Sequence, residues 1–469
     1  MSALNEFKIK QEGLLKDLND FLRIPSISRD RKSVKKAAHW IIDRLKQTTN
    51  QIKQIETSGN PVILAEWEPQ IPKISDESVP TVLFYGHYDV QPPEPLELWK
   101  TPPFEPNIRD GRLYARGAGD NKGQLFAHLC AIECVHQVKK LGIRVKFLFD
   151  GEEELGSPNI KEVLQSNKQF FKDTDLVIVS DGPADLSWRP TIVFGVRGIV
   201  TGQLYLKSAT NDVHSGNFGG IQPNPALDLM HILQTMVDDQ GRCLIEDFYE
   251  DVFTPDSLAI EAADQLDRTP EMYKKVLGIS YFGGEQDQPL AHRNMFRPTF
   301  NIRGFQSGSV REQAKTIIPK DAIVELDIRL VPNQKPDKIE KQVITHLERL
   351  KQRSKRWAAV IGRCRVNYEA SFSPMYTPLD LPWTKVLEDS LQEGFGQKPV
   401  KIPLLGGSLP LYKIYEVTGK PLYVIPYAQP DQGNHAPNEN LMLEWFECGV
   451  QTSIRLIENL RTHTYEQFQ

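Results

Sequence analysis

The stretch 81–149 reads as strand, helix, strand, and that alternation limits the folds open to this chain more than any other feature. Thr81-Val82-Leu83-Phe84-Tyr85 is an apolar run of strand length. From 122 to 141, Leu125, Leu129, Ile132, Val135 and Val138 recur at helical spacing as a stripe, with Gly142 as the stop. A second apolar run, 143–149, follows at once. This order predicts an α/β core around a largely parallel sheet. Residues 176–179 and 191–196 read as further strands, 6–23 and 33–48 as amphipathic helices, and the Pro-rich stretch 92–106 as a loop.

After Arg197-Gly198 the texture changes. Residues 201–206 and 322–331 look like strands, 225–238 and 336–352 like helices, and 251–297 like an irregular insertion. A helix returns at 382–396, a strand at 421–427 and a closing helix at 442–460. The expected architecture is therefore an α/β domain made of 1–197 and 381–469, interrupted by an α+β domain at 198–380. A length of 469 residues accommodates both.

Chemistry gathers where the strands end. Gly86-His87-Tyr88-Asp89-Val90 closes the first strand, and a His and an Asp two apart there point to the same side. That pair suits a metal, with the imidazole as ligand and the carboxylate orienting it from behind. Asp120 follows in Arg116-Gly117-Ala118-Gly119-Asp120-Asn121-Lys122-Gly123, then Asp150-Gly151-Glu152-Glu153-Glu154-Leu155-Gly156-Ser157, Ser180-Asp181-Gly182 and Asp431-Gln432-Gly433-Asn434-His435. Each cluster adjoins an apolar run, and open α/β sheets bind ligands along the edge where strands end. Two His and three carboxylates form the donor set of a two-metal hydrolase.

Composition removes other classes. The 56 basic against 61 acidic side chains leave no basic surface for nucleic acid. No segment reaches the length of a membrane span, and residues 1–8 are polar, without the apolar centre of a signal peptide. Five scattered Cys outside CxxC pairs fit a reducing compartment, so the expected location is the cytoplasm. Cys130 and Cys134, one helical turn apart, read as core thiols.

The motifs continue in order: GHYDVQP at 86–92, Trp99 and Pro102-Pro103-Phe104, DGRLYARGAGDNKG at 110–123, DGEEELGS at 150–157 and SDG at 180–182. Then come Gly195-Val196-Arg197-Gly198, HSG at 214–216, KTIIP at 315–319, IRLVPNQ at 328–334, GGSLP at 406–410 and DQGNHAPNE at 431–439. Together they resemble the M20 family of metallopeptidases over nearly the whole chain, and most closely its carnosinase-like cytosolic dipeptidase branch.

The resemblance implies cleavage of the peptide bond of dipeptides or very short peptides, a metal-bridging water being activated by a Glu general base. Two divalent ions are implied, Zn²⁺ first, with Mn²⁺ or Co²⁺ also admitted by the donor set. His87 and Asp181 would bind one ion, Glu154 and His435 the other, and Asp120 both. Asp89 would buttress His87, and Glu153 aligns with the general base. In the inserted domain, taken as lid and dimerisation domain, His214 resembles the donor that polarises the scissile carbonyl, from its own or a partner subunit. Arg329 resembles the grip on the substrate's C-terminal carboxylate, the alternative being an Arg that faces solvent or pairs with Asp327. Thr316 and Ser408 align with smaller donors, and Gly406-Gly407 would let backbone approach the ligand. A homodimer through 198–380 is expected.

Two departures bear on the substrate. The branch's HPHY segment corresponds to Ser373-Pro374-Met375-Tyr376, which puts a thioether in place of a polar contact and favours a more apolar dipeptide or N-acyl residue. Asn121 follows Asp120 where the branch often has a second acid, which makes the site less anionic near the substrate's amino end. The runner-up activity is an N-acyl amino-acid deacylase of desuccinylase or deacetylase type. A non-catalytic binding protein ranks last, because every matched position is filled.

Overall fold

A computed structural model describes residues 1–71, 79–266 and 268–466. The chain divides into two compact units, one of residues 1–195, 377–403 and 413–469, the other of residues 196–376 and 404–412. The short segment 404–412, expected to continue the first domain, goes with the second unit.

The first unit is built on an eight-stranded sheet. In spatial order its strands are Gln51–Ile55, Val62–Trp67, Arg144–Asp150, Thr81–His87, Leu176–Val179, Leu422–Val424, Thr191–Val193 and Val400–Ile402. The first two strands run antiparallel, as does Val62–Trp67 against Arg144–Asp150. The sheet is parallel from Arg144–Asp150 across to Leu422–Val424. Thr81–His87 is buried at every position, as a strand covered on both faces must be. The alternation in 81–149 gives this sheet, as expected.

The helix inside that alternation is buried beyond its one stripe, and it ends earlier than expected. It runs Lys122–Gln137, and 13 of its 16 residues are buried, so it has no solvent face opposite the predicted stripe. Helices Ala3–Leu22 and Leu443–Glu466 and strand Thr81–His87 enclose it. It also stops before Gly142. The N–H of Lys140 donates to Val135 O at 3.1 Å and that of Lys139 to His136 O at 3.0 Å, with Lys139 at φ 54°. This is a Schellman stop built on a lysine where glycine is usual, which hid it from the sequence.

The second unit has a four-stranded antiparallel sheet in the order Thr299–Gln306, Asp321–Leu330, Gly198–Lys207, Cys364–Phe372. Helices Pro225–Met236 and Pro336–Arg353 bury Leu229, Ile232, Ile339, Val343 and Leu347 with Leu204, Val324 and Leu326 of the strands. The stretch 251–297 is not irregular. It contains helices Ser257–Asp264, Pro270–Leu277 and Leu290–Phe296, the first two capped by Asp256 and Thr269.

Candidate metal centre

Three adjacent parallel strands end side by side. In register His87 faces Asp150, and Leu176–Val179 flanks Thr81–His87 on its other side. Their carboxyl ends therefore bring His87, the turn after Asp150 and Asp181 to one edge, the edge at which such sheets bind ligands.

Asp150 shapes the turn. Its carboxylate accepts the Glu152 N–H at 3.0 Å, the Ser157 hydroxyl at 2.6 Å and the Tyr85 hydroxyl at 3.2 Å. Glu152 points away from the site and accepts from Asn60 N–H at 3.0 Å and Asn159 Nδ2 at 2.6 Å, a structural role. Glu153–Leu155 forms one 3-10 turn, closed by Gly156 at φ 78°. Lys413 Nζ donates to Gly156 O at 3.0 Å and Ser157 O at 2.8 Å.

Asp89 does more than buttress the histidine. Its backbone carbonyl lies 3.1 Å from His87 Nδ1 and its Oδ1 3.4 Å. Its two carboxylate oxygens accept the N–H groups of Glu153 and Glu154, each at 3.2 Å. One fully buried carboxylate thus sets both the imidazole and the start of the turn.

Asp120 joins two donor groups. Its Oδ1 lies 3.0 Å from His87 Nε2 and its Oδ2 3.1 Å from His435 Nε2. His87, Asp120 and Asp181 offer ligand atoms within 4.8 Å of one another, as do Asp120, Glu154 and His435. Glu154 Oε2 is 3.2 Å from His435 Nε2 and accepts from Gln91 Nε2 at 2.8 Å. Glu153 belongs to neither group; its Oε2 stands 4.0 Å from His87 Nε2.

A loop held from below presents Asp120. Glu439 accepts N–H groups from Gly117 at 3.1 Å and from Gly119 and Asp120 at 2.9 Å each. It also pairs with buried Arg116 at 2.7 Å. Gly123 must be glycine, because a Cβ there would stand 2.1 Å from Ala118 O. Asn121 is fully buried and donates from Nδ2 to Ser180 O at 2.6 Å. It ties the Asp120 loop to the end of the neighbouring strand.

The electrostatics suit cations. Four carboxylates (Asp120, Glu153, Glu154, Asp181) face two imidazoles, so two divalent ions would balance them. Burial opposes charge on His87, yet its bonds to Asp120 and Asp89 hold it well above the usual histidine range. Bonds to Asp120 and Glu154 raise His435 to about 10, although its side chain is 52% exposed. Burial, aided by Asp120, pushes Asp181 up to about 6. Burial also pushes Glu153 well above the carboxylate range, with Asp181, Glu154 and Asp120 adding to it against His87. Divalent cations displace the protons held by such a cluster. Glu154 Oε1 is buried without a hydrogen-bond partner, a spare lone pair of the kind a metal takes. The residues present fit a pair of divalent ions.

The remaining residues singled out from the sequence lie in the second unit. Asp327 grips Arg329 through Nε at 2.9 Å and Nη2 at 3.0 Å, and Nη1 donates to Ser408 Oγ at 3.0 Å. The alternative partner for Arg329 is therefore real, and together with Ser408 it takes three of the five guanidinium hydrogens. His214 is exposed and accepts the Gly216 N–H at Nδ1, at 3.1 Å. Exposed Thr316 is its neighbour across Val213–His214 and Ile317–Ile318, its carbonyl accepting Ser215 N–H at 3.1 Å. Gly407 is exposed, whereas a Cβ on Gly406 would meet Asn294 at 2.9 Å. Met375 is buried, 1% exposed, unlike an open contact surface.

The model of peptidase family M20/M25/M40 matches residues 83–459, a span that includes all five candidate ligands. The chain belongs to peptidase family M20. Among M20 relatives, a human Beta-Ala-His dipeptidase is 32% identical over 81% of this chain and 74% of its own. The Cys-Gly metallodipeptidase DUG1 of Candida albicans is 30% identical over 96% and 94%. The M20 family metallo-carboxypeptidase Sso-CP2 from Sulfolobus solfataricus superposes with a TM-score of 0.84 at 32% identity, covering 96% of this chain and 99% of that one. This M20 protein is a metal-dependent dipeptidase. Among the described residues no helix is long and apolar enough to cross a membrane.

Three residues beyond those picked out in the sequence shape the metal site: Glu439, Arg116 and Lys413. Glu439 and Arg116 lay inside motifs already noted, four positions from His435 and Asp120, and that spacing was the available signal.

Proposed function

We propose that this chain hydrolyses dipeptides and very short peptides at a two-metal centre. His87 and Asp181 would hold one ion and Glu154 and His435 the other, with Asp120 a ligand common to both groups. Divalent ions there supply Lewis acidity toward the scissile carbonyl and lower the pKa of water. Glu153 takes the proton of the attacking water at its carboxylate and passes it to the leaving amine nitrogen. Asp89 holds Glu153 and Glu154 on one turn, so base and ligand keep a fixed separation. Zn²⁺ is the ion we assign, from the mixture of imidazole and carboxylate donors.

Arg329 receives the substrate's C-terminal carboxylate on its outer edge while Asp327 fixes the guanidinium plane, a bidentate fit suited to a planar fork. Ser408, Thr316 and Gly407 supply smaller contacts, and His214 donates to the developing oxyanion. A carboxylate clamp confines the enzyme to short substrates with a free C-terminus. By resemblance to its family the chain works as a homodimer through residues 198–380, with 1–197 and 381–469 as the catalytic domain, in the cytoplasm.

The observation that carries this reading is the sharing of Asp120 between two donor groups, with Glu153 Oε2 beside them, 4.0 Å from His87 Nε2. The relatives' names as dipeptidases weigh against the deacylase alternative. The test is to strip the protein, reload it with Zn²⁺ or Mn²⁺, and offer free dipeptides beside N-acetyl and N-succinyl amino acids. Uptake of about two ions per chain and release of amino acids from free dipeptides is the expected result. Cleavage of the acylated compounds alone would overturn it.

A further inference from the structure

Gln124 stands in the first turn of the enclosed helix Lys122–Gln137, fully buried, and it is not among the metal donors. Its amide Nε2 donates to Gly119 O at 2.7 Å and to Gly182 O at 3.0 Å, and its Oε1 accepts the Tyr427 N–H at 2.7 Å. Both amide hydrogens are in use. Gly119 precedes Asp120, Gly182 follows Asp181, and Tyr427 opens the segment that leads to His435. The three partners thus belong to three separate loops, each delivering a different donor.

The residues whose carbonyls accept from Gln124 are also held through their own N–H groups. Gly119 N–H goes to Glu439 Oε1 at 2.9 Å, so the peptides on both sides of this residue are pinned just before Asp120. Gly182 N–H donates to Asp181 Oδ1 at 2.6 Å, while the carbonyl of the same residue accepts from Gln124. Gly182 has φ 68°, and a Cβ there would meet nothing within 4 Å. Glycine there answers to backbone conformation alone, a freedom that the Gln124 bond restrains.

We propose that Gln124 is a positioning residue: one amide that sets the mutual placement of Asp120, Asp181 and His435 by bonding the backbone of all three loops. The inference rests on the two-metal reading and deepens it. An amide is the side chain for this task, because it alone offers two donors and an acceptor in one plane at a length that reaches all three. An apolar side chain of the same volume leaves two buried carbonyls and one N–H without partners, and the three loops lose their common reference.

The test is Gln124→Met, which keeps length and volume, with Gln124→Glu as a second variant that keeps the acceptor for Tyr427 and withdraws both donors. Thr377→Val is the control: it removes a buried hydroxyl that bonds the backbone of Leu422, in the same unit. Zn²⁺ affinity is measured by chelator competition, ligand geometry by the visible absorption of the Co²⁺ form, and folding by Tm of each protein. The expected result is Zn²⁺ binding weakened about 10- to 100-fold in the Gln124 variants, the usual consequence of losing a group that orients metal ligands. The Co²⁺ spectrum should change with it, while Thr377→Val lowers Tm and moves neither metal readout. Metal affinity and Co²⁺ spectrum unchanged in a folded Gln124 variant would reduce Gln124 to an ordinary core amide and overturn the inference. Wild-type protein that takes up neither Zn²⁺ nor Co²⁺ would remove the two-metal reading and this inference together, so the two failures are told apart.

Discussion

The Glu439 carboxylate accepts the backbone N–H of Asp120 at 2.9 Å, across 319 positions of sequence. Four residues earlier in the same loop, His435 Nε2 meets the Asp120 carboxylate at 3.1 Å. A single short loop therefore holds Asp120 twice, once by its main chain and once by its side chain. The Gly117, Gly119 and Asp120 N–H groups converge on one anion, and Arg116 supplies the countercharge.

Glu439→Gln keeps the shape and removes the charge. It leaves Arg116 buried without its partner, and breaking such a pair costs about 3–5 kcal/mol. The expected outcome is a large drop in Tm, read by calorimetry, together with loss of bound metal from the folded fraction. Wild-type metal content and Tm in this variant would show that the loop holds itself.

Glu153 and Glu154 are neighbours on one turn, for which we propose different tasks. Glu153→Gln is expected to lower kcat by about 10²–10⁴-fold, the usual contribution of a general base, with metal content at the wild-type level. Glu154→Gln is expected to lose metal. Elemental analysis beside steady-state kinetics separates the two, and the opposite pattern would exchange their roles.

Asp327→Asn tests the carboxylate clamp without touching Arg329 itself. Arg329 would keep its charge but lose the bidentate grip that fixes its plane. Hydrogen bonds to charged groups contribute about 1.5–3 kcal/mol, so KM for free dipeptides should rise about 10- to 100-fold. KM for C-terminally amidated dipeptides should hardly change. Equal effects on both would remove Arg329 from substrate recognition.

The donor set was legible in the sequence because ligand chemistry is written in residue type, and strand ends are marked by the apolar runs before them. His87, Asp120, Glu154, Asp181 and His435 all lay beside such runs, and the structure brings all five together. The supports were hidden because their partners are main-chain groups, which have no letter of their own. Nothing in the sequence says that Gln124 reaches Tyr427, 303 positions on. Asp89 was half legible: its nearness to His87 follows from strand geometry, but its bonds to Glu153 and Glu154 depend on how a distant turn folds. The helices in 251–297 escaped notice because each is only seven or eight residues long and bounded by loops. In the helix Lys122–Gln137 the sequence marks one apolar stripe, while Phe126, Ala127, Cys130 and Cys134 bury its other faces as well.

That enclosure has an evolutionary consequence. A helix walled in on all sides has few positions at which a new side chain can be tried, and its amino end is also where the loop carrying Asp120 ends. Drift in this protein is therefore channelled elsewhere, into surface helices and connecting segments. A saturation library should show Lys122–Gln137 as a narrow band of intolerance, with changes near Lys122 costing activity and changes farther along costing only folded protein.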